Sequence, residues 1–174
     1  FLKAGTEELS RSNFGIVDQI AALLWVKENI EEFGGDPKSV TLFGHGTGAV
    51  CANLLMISPM ILQDNNQRLF HRAILMGGSA LADWALAGNP SEVTYQVSQA
   101  LNCQIQDDFA ACLRRKQLRE IMAAGATTPA YKTRFGPIVD SLVVPNDPRK
   151  SMTQYHDIFK GYVRISSYSF LSSV

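Results

Sequence analysis

Apolar residues recur at helical spacing between positions 14 and 33, which predicts a long first helix. Asn13 stands directly before this stretch, at a position where an asparagine side chain is favoured as a helix cap. Trp25 widens the apolar stripe, so we expect the helix to pack against a large surface. Gly34 and Gly35 follow the stretch and predict its end.

Two short runs, Val40–Phe43 and Ala73–Met76, are apolar apart from Thr41. Continuous apolar runs of this length, placed between helices, are typical of buried parallel strands. A helix is predicted between them over residues 47–57, and Ser58-Pro59 ends it. The order helix, strand, helix, strand indicates an α/β fold with right-handed crossover connections.

The chain changes character after Asn89, where amphipathic stretches replace the apolar runs. Three helices are predicted, over residues 91–101 with Ser91 as the cap, over residues 109–115 and over residues 118–124. We expect these three helices to lie away from the sheet. We expect the chain to return to the sheet at Leu142–Val144, and residues 157–163 are predicted to be the next strand.

A glycine-dense turn, Gly44-His45-Gly46-Thr47-Gly48, joins the first predicted strand to the second predicted helix. A strand before such a turn and a helix after it are the context of a nucleophile elbow, G-x-S-x-G, whose strained tip lifts one side chain out. Gly44 and Gly48 are expected to let the strand end and the helix start pack closely. Gly46 occupies the tip, where the nucleophilic serine belongs, so the turn has no nucleophile.

Two other interpretations of this turn are less favoured. A phosphate-binding loop would need G-x-G-x-x-G spacing or a following lysine, and neither is present. Thr47 would need a base within about 2.6–3.2 Å to act as a displaced nucleophile. Only the tip residue of such a turn projects toward a substrate, so we expect Thr47 to help open the helix and His45 to pack or to face solvent.

Composition and charge exclude several classes of function. The 174 residues are 46% hydrophobic, which suits one globular unit with a sizeable core. The 16 basic and 16 acidic side chains give zero formal charge, which argues against nucleic acid or an anionic membrane surface as a partner. No apolar run reaches the ~18 residues of a membrane span. His71 and His156 have no second ligand at metal-binding spacing, so neither a metal nor a cofactor is expected.

The charged clusters in the sequence are short. Glu31-Glu32 and Asp107-Asp108 are adjacent carboxylates, which do not face one another on a helix and are expected to be solvated. Arg114-Arg115-Lys116 lies near a predicted helix end, where positive charge complements the helix dipole. It is too short to indicate a nucleic-acid site.

Three cysteines, Cys51, Cys103 and Cys112, allow one disulfide with one free thiol, or no disulfide. Cys103 and Cys112 flank a short polar loop and could close a small ring. Cys51 falls on the helix after the elbow, where we expect it to be a small buried apolar side chain.

Segments along nearly the whole chain resemble the same protein family. They are residues 18–19, 24–26, 33–37, the elbow with its strand, and residues 69–79, 135–140 and 145–148. These segments resemble the type-B carboxylesterase and cholinesterase family, which implies an α/β-hydrolase fold. Within that family, the tip glycine followed by Thr47, Gly48 and Ala49 resembles the neuroligins, which are adhesion proteins without hydrolase activity. Trp84-Ala85 and Leu54–Met56 look most similar to invertebrate members.

The resemblance also implies what the other functional positions contain. Ser166 falls where the family places its catalytic acid, so a second triad member is expected to be missing. The triad histidine and most of the oxyanion hole would lie outside this chain, although the Thr47 N–H could keep the geometry of one oxyanion donor. The spacing of Cys103 and Cys112 is similar to a disulfide loop of the family, and we predict that they are bonded.

The resemblance therefore implies that residues 1–174 are the central portion of one extracellular α/β-hydrolase domain that is catalytically inactive. The parent would be a single-pass membrane glycoprotein of synapses and cell junctions, homodimeric, binding a neurexin-like partner with calcium at the contact. The absence of an initiator Met indicates a piece of a longer polypeptide. Two alternatives are a carboxylesterase that hydrolyses small esters, and a fragment without a function of its own.

Overall fold

The computed structural model describes residues 1–3, 12–62, 68–105, 108–125 and 135–154. Helices and strands follow in the order α1 (Phe14–Asn29), a 3₁₀ turn (Ile30–Phe33), β1 (Thr41–His45), α2 (Thr47–Met56), α3 (Pro59–Leu62), β2 (Arg72–Met76), α4 (Pro90–Leu101), α5 (Phe109–Arg114), α6 (Leu118–Ala124) and α7 (Pro148–Gln154). The elements up to residue 124 follow the predicted α/β order, apart from the short helix α3, which was not predicted. The strand predicted over residues 157–163 lies outside the described residues, as do His156 and Ser166.

The two strands form a parallel pair, as their apolar character predicted. Thr41 lies opposite Arg72 at one end of the pair, and His45 lies opposite Met76 at the other. A parallel pair needs a crossover connection, which α2 and α3 supply here. Both carboxyl ends therefore reach the same edge of the sheet, next to the turn that begins α2.

The sheet is buried on one face only, so the prediction that both strands are buried throughout is wrong. Gly44, Ala73 and Leu75 are buried on the face that α2 covers. Phe43 is 66% exposed on the opposite face, and Ile74 beside it is also exposed. No helix among the described residues packs on that second face, which leaves these apolar side chains uncovered.

Helix α1 packs through one stripe, and its cap differs from the prediction. The Asn13 side chain makes no cap: its Nδ2 donates to the Ile138 carbonyl at 2.7 Å, and its Oδ1 accepts from the Ile138 N–H at 2.9 Å. Satisfying a buried peptide group outweighs capping here, because a buried N–H and C=O left unpaired are costly. Trp25 is 52% exposed and touches Phe33, with 5.9 Å between ring centroids, so the described residues do not supply the large packing surface that was expected. Gly34 ends the 3₁₀ turn at φ 80°, as predicted.

A second apolar core forms between α4, α5 and α6. Its buried members are Val93, Val97, Leu101, Cys103, Phe109 and Ala124. Cys103 and Cys112 form the predicted disulfide, with 5.8 Å between Cα atoms, and it ties the end of α4 to α5.

The caps of α4 and α5 were not predicted correctly. Asn89, and not Ser91, caps α4: its Oδ1 accepts from the Glu92 N–H at 3.1 Å, which leaves Pro90 at the first helical position. Asp108 was expected to be merely solvated, yet its Oδ1 accepts from the Ala111 N–H at 2.9 Å and caps α5.

The segment Leu142–Val144 forms no strand, and Val143 and Val144 join the main apolar core, which α1, α2 and the two strands form. One carboxylate oxygen of Asp140 accepts hydrogen bonds from all three backbone N–H groups, at 2.8 to 3.1 Å. Ser141 takes a positive φ of 61°, which lets the chain wrap around that oxygen. These N–H groups are therefore not available to a neighbouring strand, although Val143 and Val144 are fully buried.

His71 fastens the amino end of β2 to the segment before β1. The Val40 N–H donates to Nδ1 of His71 at 3.2 Å, and the His71 N–H donates to the Val40 carbonyl at 2.8 Å. Partial burial, followed by the positive charges of Arg68 and Arg72, lowers the pKa of His71 below its ordinary value of 6.5. Lys27 adds to this effect and Asp36 opposes it. Protonation of Nδ1 would remove the acceptor that holds Val40.

We expect the free energy of unfolding to fall as the pH is lowered through about 6.5. In the unfolded chain His71 binds a proton near that pH, whereas in the folded chain it does so only at lower pH, so acid favours unfolding. Urea denaturation of the natural protein between about pH 5 and 8 measures this loss. His71→Gln should flatten the profile, while His45→Gln, which changes an exposed ring, should keep it. An unchanged profile in His71→Gln would contradict the assignment.

Candidate functional site

The turn between β1 and α2 has the backbone of an elbow. Gly46 sits at its tip with φ 56° and ψ −119°, a conformation that L side chains rarely adopt. Its N–H donates to the Met76 carbonyl at 2.8 Å, and its own carbonyl accepts from the Ala49 N–H at 3.1 Å. Nothing lies within 4 Å of the place where a Cβ would stand on Gly46. The tip thus has room for a side chain, at a backbone cost of about 1–3 kcal/mol.

Gly44 is the residue that the close packing of this turn requires. A Cβ at position 44 would lie 2.6 Å from the Ala49 backbone nitrogen and still closer to the Gly48 carbonyl. At Gly48 itself a Cβ would meet nothing within 4 Å. The expectation that both glycines are needed for close packing therefore holds at Gly44 and is wrong at Gly48.

The loop after β2 lies directly beside the tip. A Cβ on Gly78 would collide with the carbonyl of Gly46, so the two backbones touch. Asn53, buried on α2, holds the rest of the loop: its Oδ1 accepts from the Ala80 N–H at 2.9 Å and from the Ser79 hydroxyl at 3.2 Å. Sequence reasoning missed Asn53, and the available signal was one polar residue inside the apolar stretch of a buried helix.

No other nucleophile is assembled at the tip in the described part of the chain. His45 and Thr47 are both exposed on either side of Gly46. Across the described ranges, neither the imidazole of His45 nor the hydroxyl of Thr47 has a hydrogen-bonding partner. His71 lies at the opposite end of the strands, where it binds Val40. Activation of a threonine hydroxyl needs a base within hydrogen-bonding distance, and none of the described residues supplies it.

The described residues contain neither a candidate metal-binding group nor a candidate membrane-spanning helix. No group of three or more His, Cys, Asp or Glu side chains could hold a metal ion among them. None of their helices is both long and apolar enough to cross a membrane.

Cys51 differs from its predicted environment. It carries a free thiol and is only partly buried, in an open groove of about 330 Å³ between α1, α2 and β1. The groove is mainly apolar, with Leu23, Leu42 and Leu55 among its walls. Cys51 packs against the main core but is only half-buried, so the prediction of a buried apolar side chain is met in part.

Comparison with known proteins identifies the family. Residues 1–171 match the carboxylesterase family. The chain belongs to that family. Its members have the α/β-hydrolase fold, and the parallel strands and helices described above are consistent with part of it. The resemblance predicted from the elbow and its flanking segments is confirmed.

The curated relatives include several neuroligins. The chain is 40% identical to neuroligin-3 of Mus musculus over 156 residues, which are 88% of this chain and 18% of that protein. The same figures hold for neuroligin-2 of Rattus norvegicus. For neuroligin-1 of Caenorhabditis elegans the identity is 38% over 161 residues, 85% of this chain and 20% of that protein. The chain thus spans about a fifth of the length of these relatives. The invertebrate assignment stays a prediction, since mammalian and nematode relatives match similarly.

Substituting the two flanking glycines of the elbow should have opposite effects. Gly44→Ala places a methyl group against the backbone of α2 and should lower the free energy of unfolding by about 3 kcal/mol or more. Gly48→Ala adds the same methyl group in open space within a helix and should raise it by about 0.5 kcal/mol. Chemical denaturation of the two variants and the natural protein measures both values. Equal losses in both variants would contradict the assigned close approach at Gly44.

Proposed function

We propose that this carboxylesterase-family chain is part of a catalytically inactive esterase-like domain that serves cell adhesion. The observation that carries the proposal is Gly46, which stands at the tip of an otherwise well-formed elbow. An esterase of this fold needs a hydroxyl at that place to attack the ester carbonyl. The tip offers only backbone, so the first covalent step has no nucleophile.

The surroundings of the tip support the absence of chemistry. The Thr47 N–H begins α2 beside the tip and could serve as an oxyanion donor, but no acyl intermediate forms without a nucleophile. Ser166, which we propose stands at the position of the catalytic acid, would remove a second member of the triad. In this proposal the glycine turn persists because it packs β1 against α2.

Similarity to the neuroligins supports the cellular part of the proposal. We infer that residues 1–174 form the central portion of one extracellular domain, in a single-pass membrane glycoprotein of synapses or cell junctions. The parent protein is a homodimer in this proposal and binds a neurexin-like protein on the opposing cell, with calcium at the contact. The Cys103–Cys112 disulfide agrees with an extracellular, oxidising location.

Hydrolysis of small esters is the alternative function. It would require Thr47 to act in place of the missing serine. Within the described residues Thr47 has no base, so nothing in the geometry favours this alternative.

Binding to a neurexin ectodomain tests the proposed function. The extracellular region of the natural protein, immobilised on a sensor, should bind soluble neurexin saturably in calcium and lose that binding in EDTA. Thr47→Ala should bind equally, because the proposal gives the elbow no part in the contact with neurexin. Absence of binding by a correctly folded protein, shown by its cooperative thermal unfolding, would refute the adhesion proposal.

A further inference from the structure

One exposed surface on α5 and α6 combines positive charge with apolar side chains. We call it the basic–apolar surface, and it consists of the exposed Arg114, Arg115, Leu118, Arg119 and Met122 together with the half-buried Lys116. Leu118 is 74% exposed and Met122 is 55% exposed. Single exposed apolar residues are common, but here two of them lie one helical turn apart amid four cations.

The two exposed apolar side chains are not needed to pack α6. The inner side of this helix presents Ile121 and Ala124 to the second core, where they lie against residues of α4 and α5. Leu118 and Met122 stand at the i and i+4 positions on the outer side. Helix α6 is therefore apolar on both sides, and only one side has a partner among the described residues.

The cations of this surface are not neutralised locally. Across the described ranges, none of Arg114, Arg115 and Arg119 forms an ion pair. The neighbouring carboxylate, Glu120, is engaged in capping its own helix, where its Oε2 accepts from the Gln117 N–H at 2.7 Å. Among the described residues, the four cations of this surface adjoin a single carboxylate, Glu120, which keeps its charge, so the surface carries a net positive charge.

The charge distinguishes this surface from the other exposed apolar regions. The open face of the sheet presents Phe43 and Ile74, which are the kind of side chains that further parts of a protein can bury. Four arginine and lysine side chains within six positions resist burial, because each would lose its hydration. The basic–apolar surface thus belongs on the outside of the complete protein.

We propose that the basic–apolar surface docks a protein segment in which carboxylates alternate with apolar side chains. The carboxylates would pair with the guanidinium groups of Arg115 and Arg119, and an apolar side chain would cover Leu118 and Met122. A sulfated polysaccharide would leave those two apolar side chains exposed to water. An anionic membrane would meet only a seven-residue helix on a chain of zero formal charge. This proposal holds whether or not the protein acts in adhesion.

Fluorescence anisotropy with defined probes tests the docking surface on the natural protein. The first probe is a labelled synthetic peptide in which Asp and Glu alternate with Leu and Phe. The second is the same peptide with Ser in place of every Leu and Phe. Heparin and vesicles containing phosphatidylserine are the third and fourth probes. We expect the first peptide to bind more tightly than the other three, and its affinity to fall as salt is raised.

Matched variants assign the binding to this surface. The double variant Arg115→Glu/Arg119→Glu should weaken binding of the first peptide by about tenfold or more. Leu118→Ser should weaken it by about threefold. Lys38→Glu/Arg149→Glu changes the net charge equally at exposed positions elsewhere and should leave the affinity within about twofold. No binding of the first peptide, equal binding of the serine peptide, stronger binding of heparin or vesicles, or an equal loss in the control variant would each overturn the proposal.

Discussion

The arrangement of the site depends on how closely the end of β1 approaches the first turn of α2. A side chain at position 44 would collide with the backbone of Gly48 and Ala49, so this approach is possible only with glycine. The approach places Gly46 at the outermost point of the turn and brings its carbonyl against Gly78 in the loop after β2. Asn53 then fixes that loop through two hydrogen bonds. The turn thus serves to pack β1 closely against α2, and this packing needs no reactive side chain.

Apolar patterning predicted α1, β1, α2, β2 and α4 to α6, because a helix or strand must bury one continuous face and the spacing of that face is visible in the sequence. The elbow was predictable for the same reason, since its glycines stand between an apolar strand and an apolar helix. The short helices α3 and α7 were not predicted. Other failures concern polar side chains that bind backbone groups. Asn13 looked like a cap and instead binds Ile138, which lies 125 residues away and cannot be read from local sequence. Asp140 accepts hydrogen bonds from three nearby N–H groups where a strand was expected, and this arrangement depends on the positive φ of Ser141.

The surfaces of the chain divide into two kinds. Phe43 and Ile74 form an apolar patch on one face of the sheet, where Arg72 is the one cation of the two strands, and such a patch suits an interior surface of a larger domain. The chain spans about a fifth of the length of the neuroligins it matches, and the α/β-hydrolase fold of its family is larger than the two strands described here. Leu118 and Met122 are also exposed, but four cations surround them, and that surface has the composition of an interface between proteins. Both surfaces expose apolar side chains, and it is the number of cations that distinguishes one from the other.

We propose that the elbow has the backbone of an esterase without its nucleophile. Hydrolysis of a chromogenic acetate ester by the natural protein tests it most directly, with Thr47→Ala as the paired variant. We expect both proteins to hydrolyse the ester no faster than buffer does, because neither carries an activated hydroxyl at the tip. Turnover by the natural protein that disappears in Thr47→Ala would contradict the account and establish Thr47 as the nucleophile.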